Sequence, residues 1–343
     1  MQRFIVGTGR CGSTLLSRML ARNPGLLSLS EFFNGLDMAE RFSAAPMDGR
    51  TLAELIGREQ PMITAVIKRG YPVEEVTYPF ADETGTGSPR GQYRRGDPLP
   101  WLLVSMLPPW AEPPDALFDE LMGFAKARPA TPPRDHYLAL FDWLAQTLGR
   151  SLWVERSGSS IDYAEHLIDL YPEARFLHLH RSGPEVALSM RNHHAYRLPI
   201  SLIYDAPLAD GRRVSELPGL DLVSEPTPGD TIHRILESHP PAEYFGRYWS
   251  DQIERGHPAL ATLPPERLLE IAFEDLVSDP VPVLHQIAVF FGLTDITPEG
   301  EWIPQAAGLV RGIPPLRVPE LERAERTALL DSCQPGTRLL GRA

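Results

Sequence analysis

The feature that most constrains this chain is a glycine-rich turn, near the N-terminus, between a strand-like run and a helix-like stretch. The apolar run 4–6 precedes Gly7, Gly9 and Gly12. Apolar residues then recur at the spacing of one helix face, at Leu15, Leu16, Met19 and Leu20. The pattern predicts a β-strand, a glycine loop and an amphipathic helix, the opening of an α/β unit. Because loop N–H groups and the helix N-terminus converge there, the loop is predicted to bind an anion such as phosphate.

Further strand and helix patterns alternate along the chain. Strands are predicted at 26–29, 152–154, 176–180 and 268–273, and helices at 137–148, 164–170, 184–190 and 283–291. This alternation predicts an α/β fold with a mostly parallel central sheet flanked by helices. Residues 52–133 show no regular pattern. We interpret residues 1–343 as one domain with two irregular insertions, at about 70–133 and 195–245.

Charge and cysteine content limit the partners and the compartment. The 45 Asp and Glu against 33 Lys and Arg give a net charge of −12, which opposes binding to nucleic acid or to an anionic membrane surface. Cys11 and Cys333 are too few for a disulfide framework or a thiolate metal site, and no metal ligands are predicted. No stretch approaches 18 apolar residues and no signal-peptide pattern precedes the first strand, so we expect a cytoplasmic protein without a membrane span.

The loop is close to the phosphate-binding loop of nucleoside triphosphatases but differs at a decisive position. Ser13 stands where that pattern requires Lys, and the only cation within the loop is Arg10. A kinase or ATPase also needs an acidic residue at a strand end to hold Mg²⁺, whereas the strand 176–180 runs into Arg181. A small-molecule kinase is therefore disfavoured but stays an alternative. A glycine turn that only allows close helix packing is the structural alternative.

The sequence Arg10-Cys11-Gly12-Ser13-Thr14 resembles the 5′-phosphosulfate loop of sulfotransferases that use 3′-phosphoadenosine 5′-phosphosulfate (PAPS), a loop of the form [KR]-x-G-[ST]-[ST] after the first strand. The resemblance implies that Arg10 contacts the leaving sulfate oxygen, and that the amides and hydroxyls of residues 11–14 hold the 5′-phosphate.

A second segment resembles the same family. Arg181 follows the strand 176–180 and Ser189 lies eight residues further on, as in the family's 3′-phosphate signature. The resemblance implies that Arg181 and Ser189 bind the 3′-phosphate; pairing of Arg181 with a carboxylate is the alternative. The turn 182–184, Ser-Gly-Pro, departs from the family's usual order, which affects the turn more than the contacts.

Two C-terminal segments are weaker matches. The family closes over its nucleotide with a late basic-Gly loop, for which Arg311 and Gly312 are candidates, with Arg317 as a second possible cation. A simple surface loop is equally compatible with these residues. The segment 273–276 (Phe-Glu-Asp-Leu) resembles a family element whose role is architectural.

The resemblance, which is to bacterial members of the family, implies metal-free in-line transfer of a sulfuryl group from PAPS to a hydroxyl, with release of PAP. The acceptor is a small molecule, a carbohydrate, a lipid or a carrier-bound chain, and its specificity is expected in the two insertions. Trp101, Trp110 and Tyr93 either line its pocket or form a small core. A nucleotide-binding scaffold without turnover is the non-enzymatic alternative, and the sequence leaves the oligomeric state open.

The reaction needs a general base near the sulfur. Glu31 is the first candidate because it follows the strand 26–29 at the edge of the sheet where ligands bind in open α/β folds. Capping of the helix that begins at Phe32, or pairing with a nearby arginine, is the alternative for Glu31. Arg156 follows the strand 152–154 at the same edge, where it either contacts the nucleotide or the acceptor or forms a surface salt bridge. The rivals are histidines: His194 is positioned to reach the acceptor, His193 precedes it, and His178 and His180 on a buried strand are expected to be core residues.

Overall fold

The computed structural model describes residues 1–82, 90–293 and 299–341. Within them, five parallel strands form one sheet in the order β2-β3-β1-β4-β5. The strands are β1 (Arg3–Val6), β2 (Leu26–Ser30), β3 (Leu152–Arg156), β4 (Arg175–His180) and β5 (Leu268–Ala272). The predicted α/β fold with a mostly parallel sheet is confirmed, and the loop predicted to bind an anion leaves the central strand β1.

Both faces of the sheet are buried, as expected when helices connect parallel strands. On one face Phe4 and Phe176 stack with ring centroids 5.6 Å apart, inside the largest hydrophobic cluster. On the opposite face Ile5, Leu177 and Leu179 belong to a second cluster. The alternation of side chains along β1 and β4 therefore sends successive residues into two different cores.

Helices cover both faces of this sheet. They are α1 (Ser13–Leu20), α2 (Gly49–Ile56), α3 (Pro61–Lys68), α4 (Asp115–Lys126), α5 (Pro133–Thr147), α6 (Ala164–Leu170), α7 (Gly183–Asn192), α8 (His194–Ile203), α9 (Thr231–Glu237), α10 (Ala242–Leu260), α11 (Phe273–Ser278), α12 (Pro280–Phe291), α13 (Glu299–Ala307) and α14 (Arg323–Leu339). Local signals set several ends: Asp48 caps α2 by accepting from the Thr51 N–H at 2.9 Å. Gly292, with φ 64°, ends α12.

The first predicted insertion and the segment that precedes it contain more regular structure than their sequences indicate. Between residues 52 and 133, where no pattern was found, the structure has α3, a π-helical turn over Leu102–Met106, and α4. These elements are short, and β-branched residues in α3 weaken the helical signal. Trp101, Leu103 and Val104 pack with Leu198 and Ile232 in a third cluster that joins the two insertions. Part of the first insertion, residues 83–89, lies outside the described residues.

The C-terminal helix α14 packs on α10 through small residues. Gly336 lies against the Trp249 ring, where an added Cβ would be 2.7 Å from a ring carbon. A Cβ on Gly246 would lie 2.2 Å from Ser332 Oγ and 3.0 Å from Cys333 Sγ. Leu329 and Cys333 are buried in this contact, so α14 belongs to the main core. None of the helices within the described residues is both long and apolar enough to span a lipid bilayer.

Candidate active site

The glycine loop runs so close to its neighbours that side chains are excluded at three positions. A Cβ on Gly7 would lie 2.5 Å from the Leu179 carbonyl oxygen, and one on Gly9 would overlap the Tyr196 hydroxyl. Gly12, with φ 98°, lies against the Phe273 ring and is the N-cap of α1. No side chain of the described residues caps α1, and its first turn contains no acidic residue. Its first N–H groups, with Ser13 and Thr14, therefore remain available to a ligand at the cavity described below.

Arg10 holds a left-handed conformation, φ 61°, that turns its side chain toward the predicted second signature. Its Nε donates to Ser189 Oγ at 3.1 Å. One of its terminal nitrogens lies 2.9 Å from Glu74 Oε2 and 3.7 Å from Glu75 Oε1. Arg10, predicted to contact the sulfate, and Ser189, predicted to bind the 3′-phosphate, are therefore in direct contact.

Arg181 lies at the carboxyl end of β4 and faces the same cavity. Its guanidinium lies over the Phe273 ring, 4.6 Å from the centroid, and it forms no hydrogen bond or ion pair with the described residues. The expected alternative, pairing with a carboxylate, is therefore not found within that part of the chain. Burial lowers the pKa of Arg181, and the nearby Arg317 cation adds to this shift. Such an unpaired, partly desolvated cation suits an anionic ligand.

The two C-terminal arginines lie in different surroundings. Arg317 is bound to the buried Glu185 of α7: its N–H donates to Oε1 at 2.8 Å and its Nε to Oε2 at 3.2 Å. Arg311 and Gly312 are exposed and do not line the cavity. The structure therefore brings Arg317, and not the predicted pair Arg311 and Gly312, next to Arg181.

Glu31 is buried at the cavity wall and fully hydrogen-bonded. Its Oε1 is paired with Arg156, and its Oε2 accepts from the Asn34 amide at 2.6 Å. The Gly158 N–H is 3.1 Å from Oε1 and 3.2 Å from Oε2. Burial raises the pKa of Glu31, although the Arg156 charge opposes this shift. Glu31 therefore lines the cavity, as expected for a base, and it is also paired with an arginine, as the alternative interpretation predicts.

A second carboxylate in the cavity was missed by the sequence analysis. Glu75 Oε2 lies 3.2 Å from Nε2 of the buried His193. Burial alone would raise the pKa of Glu75, but His193 and Arg10 outweigh burial and lower it. Glu75 follows an irregular segment without a motif, so nothing local in the sequence pointed to it.

The predicted histidines lie at different depths. His194 does not line the cavity; its Nδ1–H donates to the Pro72 carbonyl at 3.2 Å. His178 and His180 are buried on β4, as expected for core residues. Cys11 is fully buried in the loop, and burial raises the pKa of its thiol, which disfavours a nucleophilic thiolate.

The cavity that these residues share has a volume of about 390 Å³. Its polar wall comprises the loop, Arg181, Ser189, Glu31 and Glu75, and its apolar lining is Met62, Ile63, Trp101, Ala195, Tyr196, Pro199 and Tyr248. Trp101 thus lines it, whereas Trp110 lines a second cavity of about 440 Å³. The two cavities share Thr14, Glu31, Glu74, Glu75 and Arg156 as a common wall.

The cavity thus combines a glycine loop at the end of the central strand, two arginines and the carboxylates Glu31 and Glu75. The model of the sulfotransferase family matches residues 3–206 and 232–298, more than half of the 343 residues. The chain therefore belongs to the sulfotransferase family. The match omits residues 207–231, inside the second predicted insertion.

Comparisons with individual proteins add limited detail. No curated protein matches the sequence significantly. The sulfotransferase domain of the curacin biosynthetic pathway is 14% identical, with a TM-score of 0.48, over 100% of this chain and 98% of that one. The sulfotransferase domain of the Synechococcus PCC 7002 olefin synthase is 19% identical, with a TM-score of 0.42, over 97% and 93%. A sulfotransferase from Alicyclobacillus acidocaldarius is 19% identical, with a TM-score of 0.39, over 99% and 94%.

Proposed function

We propose that this protein transfers a sulfuryl group from PAPS to a hydroxyl group of an acceptor bound in the 390 Å³ cavity. The observation on which the proposal depends is the convergence of the glycine loop, Arg10, Arg181 and Ser189 on one cavity that also contains a buried carboxylate, Glu31. Membership of the sulfotransferase family supports transfer of a sulfuryl group. The identity of the donor as PAPS and of the acceptor as a hydroxyl compound is our proposal.

The residues present fit a donor with phosphate groups at two ends. The amides of residues 12–14 and the N-terminus of α1 suit the 5′-phosphosulfate, and Arg181, which has no carboxylate partner within the described residues, suits the 3′-phosphate. Phe273 contacts both Gly12 and Arg181 and so fixes their separation. PAPS, when bound, supplies the sulfuryl group, and PAP is the leaving group.

Arg10 is the residue expected to stabilise charge on the transferred group. It is at present shared between Ser189 and the carboxylates Glu74 and Glu75. A dianionic ligand competes well with a largely exposed partner such as Glu74, because such an ion pair contributes only about 0–1 kcal/mol. We therefore expect Arg10 to exchange Glu74 for the donor when the donor binds.

Glu31 is the proposed general base. It lies at the wall of the cavity, and its raised pKa makes it a stronger proton acceptor than an exposed carboxylate. Arg156 and the Gly158 N–H hold its orientation. Glu75 is the second candidate, because His193 fixes it in the same cavity beside Arg10.

The apolar lining supports an acceptor with an apolar part. Met62, Ile63 and Trp101 come from the first half of the chain, and Ala195 and Pro199 from α8 in the second insertion. The proposed acceptor is an alcohol whose hydroxyl reaches the carboxylates while its hydrocarbon part covers this lining.

Calorimetry with PAP tests the donor site. We expect Arg10→Gln combined with Arg181→Gln to weaken PAP binding about 100-fold or more, since each charge-assisted contact contributes roughly 1.5–3 kcal/mol. The matched control combines Arg22→Gln and Arg323→Gln, two exposed arginines outside the cavity. Equal PAP affinity in the parent and the double cavity variant would refute the proposed donor site.

Turnover separates the competing functions. Transfer of sulfate from PAPS to a member of an alcohol panel, in the presence of a metal chelator, supports the proposal against a Mg²⁺-dependent kinase. Binding of PAP without sulfation of any alcohol or amine would instead favour a nucleotide-binding scaffold. Phosphorylation of an acceptor from ATP and Mg²⁺, without use of PAPS, would favour the kinase.

A further inference from the structure

Three possible metal ligands converge at the edge of the sheet, outside the cavity. They are His178 on β4, Glu270 on the edge strand β5 and His257 on α10. Nδ1 of His178 lies 3.0 Å from Oε1 of Glu270, and Nε2 of His257 lies 3.5 Å from the same oxygen. All three atoms lie within 4.8 Å of one another.

The separations between these atoms suit ligands of one small divalent cation. Zinc binds histidine nitrogen and carboxylate oxygen at about 2.0–2.2 Å, so the ligand atoms of a tetrahedral site lie about 3.3 Å apart. The two distances to Glu270 Oε1, 3.0 Å and 3.5 Å, bracket that value. Two imidazoles with one carboxylate are a donor set for zinc and similar transition metals, whereas Ca²⁺ and Mg²⁺ require more oxygen ligands.

The backbone holds the three side chains on separate rigid elements. His178 and Glu270 are register partners on adjacent parallel strands, so their side chains leave the sheet on the same face. His257 comes from α10, a helix of 19 residues that covers this face. The cluster therefore needs no backbone movement to bring its members together.

Burial and charge also suit a cation. The His178 side chain is completely buried, whereas that of Glu270 is 44% exposed, which leaves access from solvent and an open position for water. A carboxylate and two neutral imidazoles are the protonation states that metal binding requires.

We propose that His178, His257 and Glu270 bind one divalent transition-metal ion of the zinc class, which links the edge strand β5 to α10. This proposal departs from the sequence analysis, which predicted no metal ligands. The three positions are separated by 79 and 13 residues, unlike any common metal-binding motif. The site is independent of the proposed sulfuryl transfer, because none of the three residues lines the cavity.

The competing explanation is a pair of histidines that simply hydrogen-bond to one carboxylate. Metal binding separates the two explanations. Chelator-treated protein is incubated with Zn²⁺, passed through a desalting column and analysed for metal content; we expect one Zn²⁺ per chain. Co²⁺ as a second probe is expected to give the visible absorption of a four-coordinate site.

Variants at the exposed side of the cluster assign the site. His257→Ala and Glu270→Gln are each expected to weaken Zn²⁺ binding at least about 100-fold, the upper end of what loss of an outer hydrogen-bond partner costs a metal site. Zn²⁺ should raise the melting temperature of the parent and not of these variants. His239→Ala, which removes an exposed histidine outside the cluster, is the matched control and should behave as the parent.

The proposal fails if chelator-treated protein retains no Zn²⁺, or if His257→Ala and Glu270→Gln bind Zn²⁺ as tightly as the parent. Circular dichroism of each apo variant verifies that a loss of binding is not a loss of folding. His178 is left unchanged in these tests because its side chain is completely buried and its removal would leave a cavity.

Discussion

At the scale of single residues, the site is defined by which charges are paired and which are not. Glu31 is paired with Arg156, and Glu75 with His193, whereas Arg181 faces the cavity over the Phe273 ring and forms no ion pair with the described residues. A partly buried cation without an ion-pair partner is costly, which supports the proposal that an anionic ligand binds beside Arg181. The paired residues Glu31 and Glu75 therefore differ from Arg181, which is the proposed contact of the ligand.

The base assignment is tested by the pH dependence of turnover. Glu31→Gln is expected to lower kcat by roughly 10²–10⁴-fold and to remove the limb of the kcat profile that rises as this carboxyl loses its proton. Loss of the partner of the buried Arg156 also reduces stability, but a purely structural defect lowers kcat without removing that limb.

Glu75→Gln is the matched comparison for Glu31→Gln. It removes another carboxylate of the cavity, one that is half-buried and lies beside His193. We expect the Glu75 variant to keep the rising limb. The opposite result, a limb that persists in Glu31→Gln and vanishes in Glu75→Gln, would transfer the role of base to Glu75.

Glu155 makes the stability of the chain depend on pH. Burial raises the pKa of Glu155 to about 8 from 4.5, despite the hydrogen bond from Ser157. Between these values the folded chain keeps a proton that the unfolded chain releases, so the free energy of unfolding decreases as pH rises. Glu155→Gln, which is neutral at every pH, should therefore gain stability relative to the parent from pH 5 to pH 8 and no further above it.

Urea unfolding at several pH values measures this difference. Glu54→Gln, at an exposed helical position, is the control and should show no such trend. A constant difference between Glu155→Gln and the parent from pH 5 to pH 9 would mean that Glu155 is charged throughout in the folded chain.

At the scale of elements, the sequence predicted what is local and missed what is assembled from distant segments. The strand, loop and helix around Gly12 and the strand that precedes Arg181 follow from patterns within about ten residues, and the structure has both. Glu75 and His193 meet although 118 positions separate them. Their contact depends on how the first insertion packs on α8, which no local periodicity encodes. For the same reason the sequence favours His194 as a candidate base, although His193 is the histidine that contacts Glu75.

The loop requires glycine at position 12 for two separable reasons. Its φ of 98° is unfavourable for other residues, and a Cβ would overlap the Phe273 ring. Gly70, with φ 79° and no atom within 4 Å of an added Cβ, shares only the first reason. Gly70→Ala is therefore expected to cost about 1 kcal/mol, and Gly12→Ala clearly more, with weaker PAP binding because Phe273 also supports Arg181.

Urea unfolding and PAP calorimetry on both variants measure these effects. If Gly12→Ala were no more destabilising than Gly70→Ala, Phe273 would have to be free to move, and its proposed role in fixing the two anion sites would be wrong.

At the scale of the whole molecule, the third hydrophobic cluster is continuous with the main core. Within the π-helical turn Leu102–Met106, Leu102 and Met106 pack in the main cluster, whereas Leu103 and Val104 pack in the cluster of the insertions. In α8, Ile200 packs in the main cluster, whereas Leu198 packs in the cluster of the insertions. Because one turn of chain serves two clusters, neither can be lost without disturbing the other.

We therefore expect the proposed single domain to unfold in one cooperative transition. Tryptophan fluorescence, compared between the parent and Trp101→Phe, reports on the cluster of the insertions, and far-UV circular dichroism reports on the whole chain. The two probes should give the same denaturant midpoint. Loss of the Trp101 signal at a lower denaturant concentration would show that the insertions form a separate folding unit.

The wall common to the two cavities has a kinetic consequence. Its five residues line both cavities, so Glu31 and Glu75 border the cavity of the glycine loop on one side and the cavity of Trp110 on the other. Two reactants that arrive through different openings do not block each other's path. For the proposed transferase we therefore expect either substrate to bind the free protein first, so that plots of reciprocal initial rate intersect and calorimetry detects binding of each substrate alone.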